Sequence, residues 1–124
     1  MNIEIITTPN KDLKESGFGG ITSCQSILAS AKKMGHNIFI SSCITIEDLN
    51  QVVKRVPDLV ILAVKYLPLL NNINIWLSDY FAQHSINYTA SSKEVLKFDS
   101  DKVLAKLHLK KKGIKTANYF TAIP

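Results

Sequence analysis

The chain has 124 residues, 46% of them hydrophobic and 20% charged, enough apolar material for one compact domain and too much for a disordered chain. The longest unbroken apolar run, residues 59–64, is the length of a strand and not of a bilayer span, and Glu4 interrupts the apolar run at the start. Neither a membrane anchor nor a secretory signal is expected, and the setting expected is cytoplasmic. The net charge of +5 is uneven: residues 1–92 balance seven basic against seven acidic side chains, while residues 93–115 hold eight lysines against Glu94, Asp99 and Asp101.

Ile3, Ile5 and Ile6 are β-branched and read as a short strand. A long connection follows, with Pro9, Asn10, Gly17, Gly19 and Gly20. Ile21, Cys24, Leu28 and Ala31 then recur at helical spacing, and Gly35 is a stop signal. Residues 37–41 make a second strand. Thr45 with Asp48 three residues on has the form of a capping box, opening a helix that turns Leu49, Val52, Val53 and Val56 inward before Pro57. Residues 59–64 read as a strand covered on both faces, central in a parallel sheet. Residues 65–74 look irregular, Ile73, Trp76, Leu77, Tyr80 and Phe81 form a helical stripe, and residues 86–89 make a fourth strand. Ser91 with Glu94 predicts a capped helix, and Ser100 a cap for another that turns Val103, Leu104 and Leu107 inward and ends at Gly113. Residues 114–124 look extended.

This alternation predicts an α/β fold, a three-layer parallel sheet of about four strands with helices on both faces. Ligands in such folds bind beyond the carboxyl ends of the strands. The glycine cluster before the first long helix lacks the third glycine of a dinucleotide fingerprint, since Thr22 stands there. A phosphoryl-accepting carboxylate at the end of the third strand is excluded by Val64-Lys65-Tyr66. Cys24 and Cys43 read as small buried side chains, and the three histidines are too scattered for a metal site.

The last third carries a resemblance. The run Ile86-Asn87-Tyr88-Thr89-Ala90-Ser91, followed by Asp101-Lys102, Lys106 and Gly113-Ile114, is similar to D-alanine–D-alanine ligase, where a hydrophobic residue precedes Pro-Tyr-Thr-Gly-Ser, then Asp-Lys, a lysine four further on, and Gly-Leu or Gly-Ile. The spacings from Ser91 to Gly113 coincide without a gap. Met34-Gly35-His36 and Pro57-Asp58-Leu59-Val60 resemble the family less specifically. The resemblance implies a Rossmann-like pre-ATP-grasp domain over residues 1–113 and, in residues 114–124, a linker toward an ATP-grasp domain missing from this chain. The family joins a carboxylate to an amine with ATP and magnesium through an acyl phosphate. Carried over by residue, Lys102 matches the lysine on ATP phosphate, Tyr88 and Ser91 lie in the segment lining the cleft, and Glu15 and Ser16 fall near the glutamate that holds the first amino acid.

The family's His-Gly and Gly-Glu-Asp-Gly motifs after the third strand are absent, and Ala90 replaces the glycine of Tyr-Thr-Gly-Ser. The substrate implied is therefore an amino acid or small peptide, not D-alanine in particular. The expected function is the amino-terminal substrate-binding domain of such a ligase, a fragment inactive alone. ATP and magnesium belong to the full-length enzyme, and neither is expected to bind this chain tightly. No catalytic residue and no metal ligand is expected within it, and the reading leaves a homodimer open. The rival is a stand-alone regulatory module that binds a nucleotide or an amino acid. Nucleic-acid binding through the lysine-rich helix is the weaker reading, because that segment lacks arginine.

Overall fold

The structure, a computed structural model, describes residues 1–11, 18–69 and 73–122. It is an α/β fold: a three-stranded parallel sheet, five helices among the described residues, and a small antiparallel hairpin. In chain order the elements are β1 (Asn2–Thr7), α1 (Ile21–Lys33), β2 (Asn37–Ser42), α2 (Ile46–Lys54), β3 (Leu59–Leu62), β4 (Tyr66–Pro68), β5 (Asn74–Trp76), α3 (Leu77–Gln83), α4 (Lys93–Ser100) and α5 (Lys102–Lys111). Residues 114–122 carry neither helix nor strand. Among the described residues no helix is long and apolar enough to cross a membrane.

The sheet order is β2-β1-β3, so the central strand is β1 and not the run at residues 59–64. Ile3 and Ile5 of β1 and Ile38 of β2 pack with Cys24 of α1 on one face. Ile6, Val60 and Leu62 meet Leu49 and Val52 of α2 and Leu77 and Phe81 of α3 on the other. Burial on both faces explains the adjacent isoleucines Ile5 and Ile6, which point to opposite faces of β1.

The expected fourth strand reduces to one parallel bridge between Val60 and Tyr88. The Val60 N–H donates to Asn87 O at 2.9 Å and the Thr89 N–H donates to Val60 O at 3.0 Å. At the next rung the Leu62 N–H donates to Thr89 Oγ1 at 3.1 Å. A side chain has taken the ladder position, and Ala90, at φ +75°, turns the chain away. β3 is covered more fully on one face than on the other: Val60 and Leu62 are buried, Leu59 and Ile61 half-buried.

The β4–β5 hairpin was not legible as strands. Tyr66 pairs with Trp76, their ring centroids 5.4 Å apart. Ile73 and Trp76 thus precede the helix and do not share its stripe, and Ile73 is exposed. Pro68 is tolerated because the hairpin has only edges.

Local signals set the helix ends. Asp48 Oδ2 accepts from the Thr45 N–H at 2.8 Å and the Asp48 N–H donates to Thr45 Oγ1 at 3.2 Å, completing the expected capping box. Two later caps differ from expectation. Ser92, not Ser91, precedes α4 and makes no side-chain cap bond. Asp101, not Ser100, caps α5, accepting from the Leu104 N–H at 2.9 Å; Ser100 is already the last residue of α4, and only Asp101 has the extended backbone a cap requires. In α5 no residue is buried, so Leu104 and Leu107 are not core residues.

Four helices close on a residue in the left-handed region: Gly35, Val56, Ser85 and Gly113. After α5 the Ile114 N–H donates to Leu109 O and the Gly113 N–H to Lys110 O, both at 3.0 Å, the double bond of a glycine-terminated helix. Val56 occupies the same place after α2 at φ +49°, and it is 73% exposed where the apolar pattern predicts it inward. A β-branched residue before proline is strained twice there. Val56→Gly should therefore stabilise the fold by about 1 kcal/mol: relief of roughly 1–2 kcal/mol, less about 0.4–1 kcal/mol from the more flexible unfolded chain. Thermal unfolding should show a rise of about 3–6 °C; a lower midpoint would mean the valine packs usefully.

Candidate functional site

The carboxyl ends of the parallel strands converge on one edge. At the end of β1, Thr7 and Thr8 are buried, and Thr7 Oγ1 donates to Gly19 O at 3.0 Å. The residues entering α1 thus fold back over the strand end. Glu15 and Ser16 lie outside the described residues. Beyond β2, the Cys43 N–H donates to Thr7 O at 2.8 Å. Burial, chiefly, pushes the Cys43 thiol up to about 12, with Asp48 and Glu4 adding to it. Cys43 is neutral and inert at physiological pH, in keeping with its reading as a small buried side chain.

Beyond β3 the Ala63 N–H donates to Ile6 O at 2.9 Å, and Lys65 follows. Its side chain is only 12% exposed, and Lys65 Nζ lies 2.5 Å from Asp99 Oδ2 of α4. The hydrogen bond from Lys65, reinforced by its charge, holds the Asp99 carboxyl below its usual range. The tie is complete above the ordinary carboxylate range, about pH 4, and is lost as pH falls through the depressed folded value. A second link joins Lys93 Nζ at the start of α4 to Asp79 Oδ2 of α3, at 3.5 Å. Two ion pairs thus hold α4 across the sheet edge, with α5 packed behind it through Phe98 and His108, ring centroids 4.8 Å apart.

Of the residues singled out from the sequence, Tyr88 is half-buried and packs against the core cluster beside β3. Ser91 is exposed at the turn that leads into α4. Lys102 is exposed at the first position of α5, directly after the capping Asp101, and among the described residues it makes no hydrogen bond or ion pair. Tyr88 is bridged to Val60 of β3, and Lys102 opens the helix that follows α4 in the chain. Sequence reasoning missed Lys65 and Asp99; the one signal was a cation directly after a buried apolar run.

Among the described residues this edge carries the Lys65 ammonium, paired with Asp99, and the hydroxyls of Thr7 and Thr8. Among the described residues no group of three His, Cys, Asp or Glu side chains is placed to hold a metal ion. Compared with models of known families, with curated proteins and with solved structures, the chain matches none.

Proposed function

We propose that this chain serves as the amino-terminal, substrate-positioning domain of an ATP-dependent carboxylate–amine ligase of the D-alanine–D-alanine ligase type, with no catalysis of its own. The observation that carries the reading is Ala90. In Tyr88-Thr89-Ala90-Ser91 it stands where the ligases have glycine, and its φ of +75° is one that favours glycine. Ala90 holds a backbone conformation that glycine adopts freely and alanine does not, at a cost of roughly 1–2 kcal/mol. A turn kept against strain is what a binding loop requires.

In this reading Tyr88 and Ser91 line the cleft for an amino acid or small peptide. Lys102 is the residue that would hold ATP phosphate, and its unpaired ammonium at a capped helix start fits that task. ATP with magnesium supplies the phosphoryl group that activates a carboxylate. The metal carboxylates and the remaining nucleotide contacts fall to an ATP-grasp domain.

The reading is tested by following backbone amide resonances of the chain while adding D-alanine, L-amino acids, alanyl dipeptides and MgATP. An amino acid or dipeptide should shift Tyr88, Ala90 and Ser91, and MgATP should shift Lys102, both weakly. Millimolar dissociation constants, about −4 kcal/mol, are appropriate to half a site. No phosphate should be released. Micromolar affinity would favour the regulatory module, and shifts confined to other surfaces would remove the ligase reading.

A further inference from the structure

We infer that the cleft between α2 and α3 is a binding site for a zwitterionic amino acid with a large apolar side chain. The cleft has a volume of about 470 Å³, within the roughly 300–1,000 Å³ of small-molecule sites. Neither Tyr88 nor Ser91 lines it, so it lies apart from the turn to which the ligase reading assigns the substrate.

One wall is apolar. Ile46, the first residue of α2, is 47% exposed, and Ile75 and Trp76 of β5 are half-buried. Tyr66 backs the Trp76 ring across the hairpin. Tyr80 of α3 also lines the cleft; its hydroxyl donates to Asn50 Oδ1 at 2.5 Å, and its ring lies 4.4 Å from that of His84. Tyr80 is thus fixed by a hydrogen bond at one end and a ring contact along its face. A wall formed before the ligand arrives lowers the ordering cost of binding.

The cleft also holds two opposite charges side by side. Lys93 Nζ lies 3.5 Å from Asp79 Oδ2, and both side chains are partly exposed. A well-formed charge-assisted bond measures about 2.7–2.9 Å. The pair of Arg55 with Glu4 reaches 2.8 Å. Asp79 and Lys93 do not, and among the described residues neither has another hydrogen-bond or ion-pair partner.

These charges select the ligand. A simple anion at Lys93 would be repelled by Asp79, and a simple cation at Asp79 by Lys93. A molecule with an ammonium and a carboxylate on one carbon satisfies both, its ammonium donating to Asp79 and its carboxylate accepting from Lys93. Its side chain then lies against Ile46, Ile75 and Trp76, where an apolar group gains by leaving water. Glycine would gain only the charge contacts, which are weak in an open, solvated cleft. The ligand would bridge the loose pair, so that α3 and α4 stay tied through it.

Trp76 is the sole tryptophan of the chain, so its fluorescence reads the cleft directly. Phenylalanine and leucine should change the emission saturably, with dissociation constants of about a millimolar or below. Glycine should bind at least tenfold more weakly. So should N-acetylphenylalanine, which lacks the ammonium, and phenethylamine, which lacks the carboxylate. In Lys93→Gln, phenylalanine should lose at least tenfold and phenethylamine nothing, with the circular dichroism unchanged. A variant that merely failed to fold would lose both. Shifts of the Tyr88 and Ala90 resonances on adding an alanyl dipeptide should persist in Lys93→Gln, which separates failure of this site from failure of the ligase reading. Emission unaltered up to about 20 mM phenylalanine overturns the inference. So does binding indifferent to the loss of either ligand charge, which would reduce the cleft to a plain apolar surface.

Discussion

Arg55→Ala should destabilise the fold by about 3 kcal/mol, the low end of the range for stripping one partner from a buried ion pair. Glu4 lies in the middle of the central strand with its side chain 2% exposed. Its carboxylate accepts from Arg55 Nε and Nη2, each at 2.8 Å, and from Ser41 Oγ at 2.7 Å. Removing the guanidinium leaves that carboxylate buried with one neutral hydroxyl donor. Arg55 itself is nearly half-exposed, so water can follow it in, which is why the low end applies. Glu4→Leu combined with Arg55→Met should recover most of the loss, because replacing both partners by apolar groups removes the desolvation cost along with the attraction. Urea unfolding of the two single variants and the double variant measures this through the midpoint at constant slope. A loss below about 1 kcal/mol for Arg55→Ala would show the pair behaving as a surface contact.

Under the proposed ligase reading, Lys102→Ala in a full-length enzyme should weaken ATP use by about 10- to 150-fold, the equivalent of about 1.5–3 kcal/mol for one charge-assisted phosphate contact. The fold should be unaffected, since Lys102 is exposed and makes no bond among the described residues. Lys111→Ala, in the last turn of the same helix, should cost about 0–1 kcal/mol, less than roughly fivefold. The measurement is steady-state rate against ATP concentration for both variants. Equal small effects would reduce the lysine-rich helix to a solvated face and remove Lys102 from the site.

What could be read in advance was local. Thr45 with Asp48, Gly35 and Gly113 announce helix ends because cap and partner lie within a turn of each other. β1, β2 and β3 announce themselves as β-branched runs. The hairpin of β4 and β5 does not, because three-residue strands have no period to detect. Leu104 and Leu107 have helical spacing, yet spacing cannot say whether another element covers that face. Val56 fits an apolar stripe, yet the helix ends at Lys54 and a left-handed backbone turns Val56 outward. At the candidate site Tyr88 is expected in a strand and forms one bridge to Val60, because Thr89 Oγ1 takes the next ladder position. Lys65 and Asp99 were not legible, since they meet across 34 residues of chain. Glu4 was visible as a charge inside an apolar strand, while its partner, 51 residues away, was not.

The tie between Glu4, Ser41 and Arg55 has a consequence for which sheets this chain can form. Side chains alternate along a strand, so sliding β1 by one residue against its neighbours would exchange its two faces. Ile3, Ile5 and Ile6 are adjacent enough that either face would still receive isoleucine. Apolar burial alone therefore discriminates poorly between the native alignment and the shifted one. Glu4 discriminates well: shifted, its carboxylate would enter the apolar cluster of Cys24, Ile27, Leu28 and Ala31 beneath α1, away from Arg55. An apolar pair of equal volume could match the native stability, but it would leave the shifted alignment accessible. The selective value of this buried charge lies in the structures it forbids.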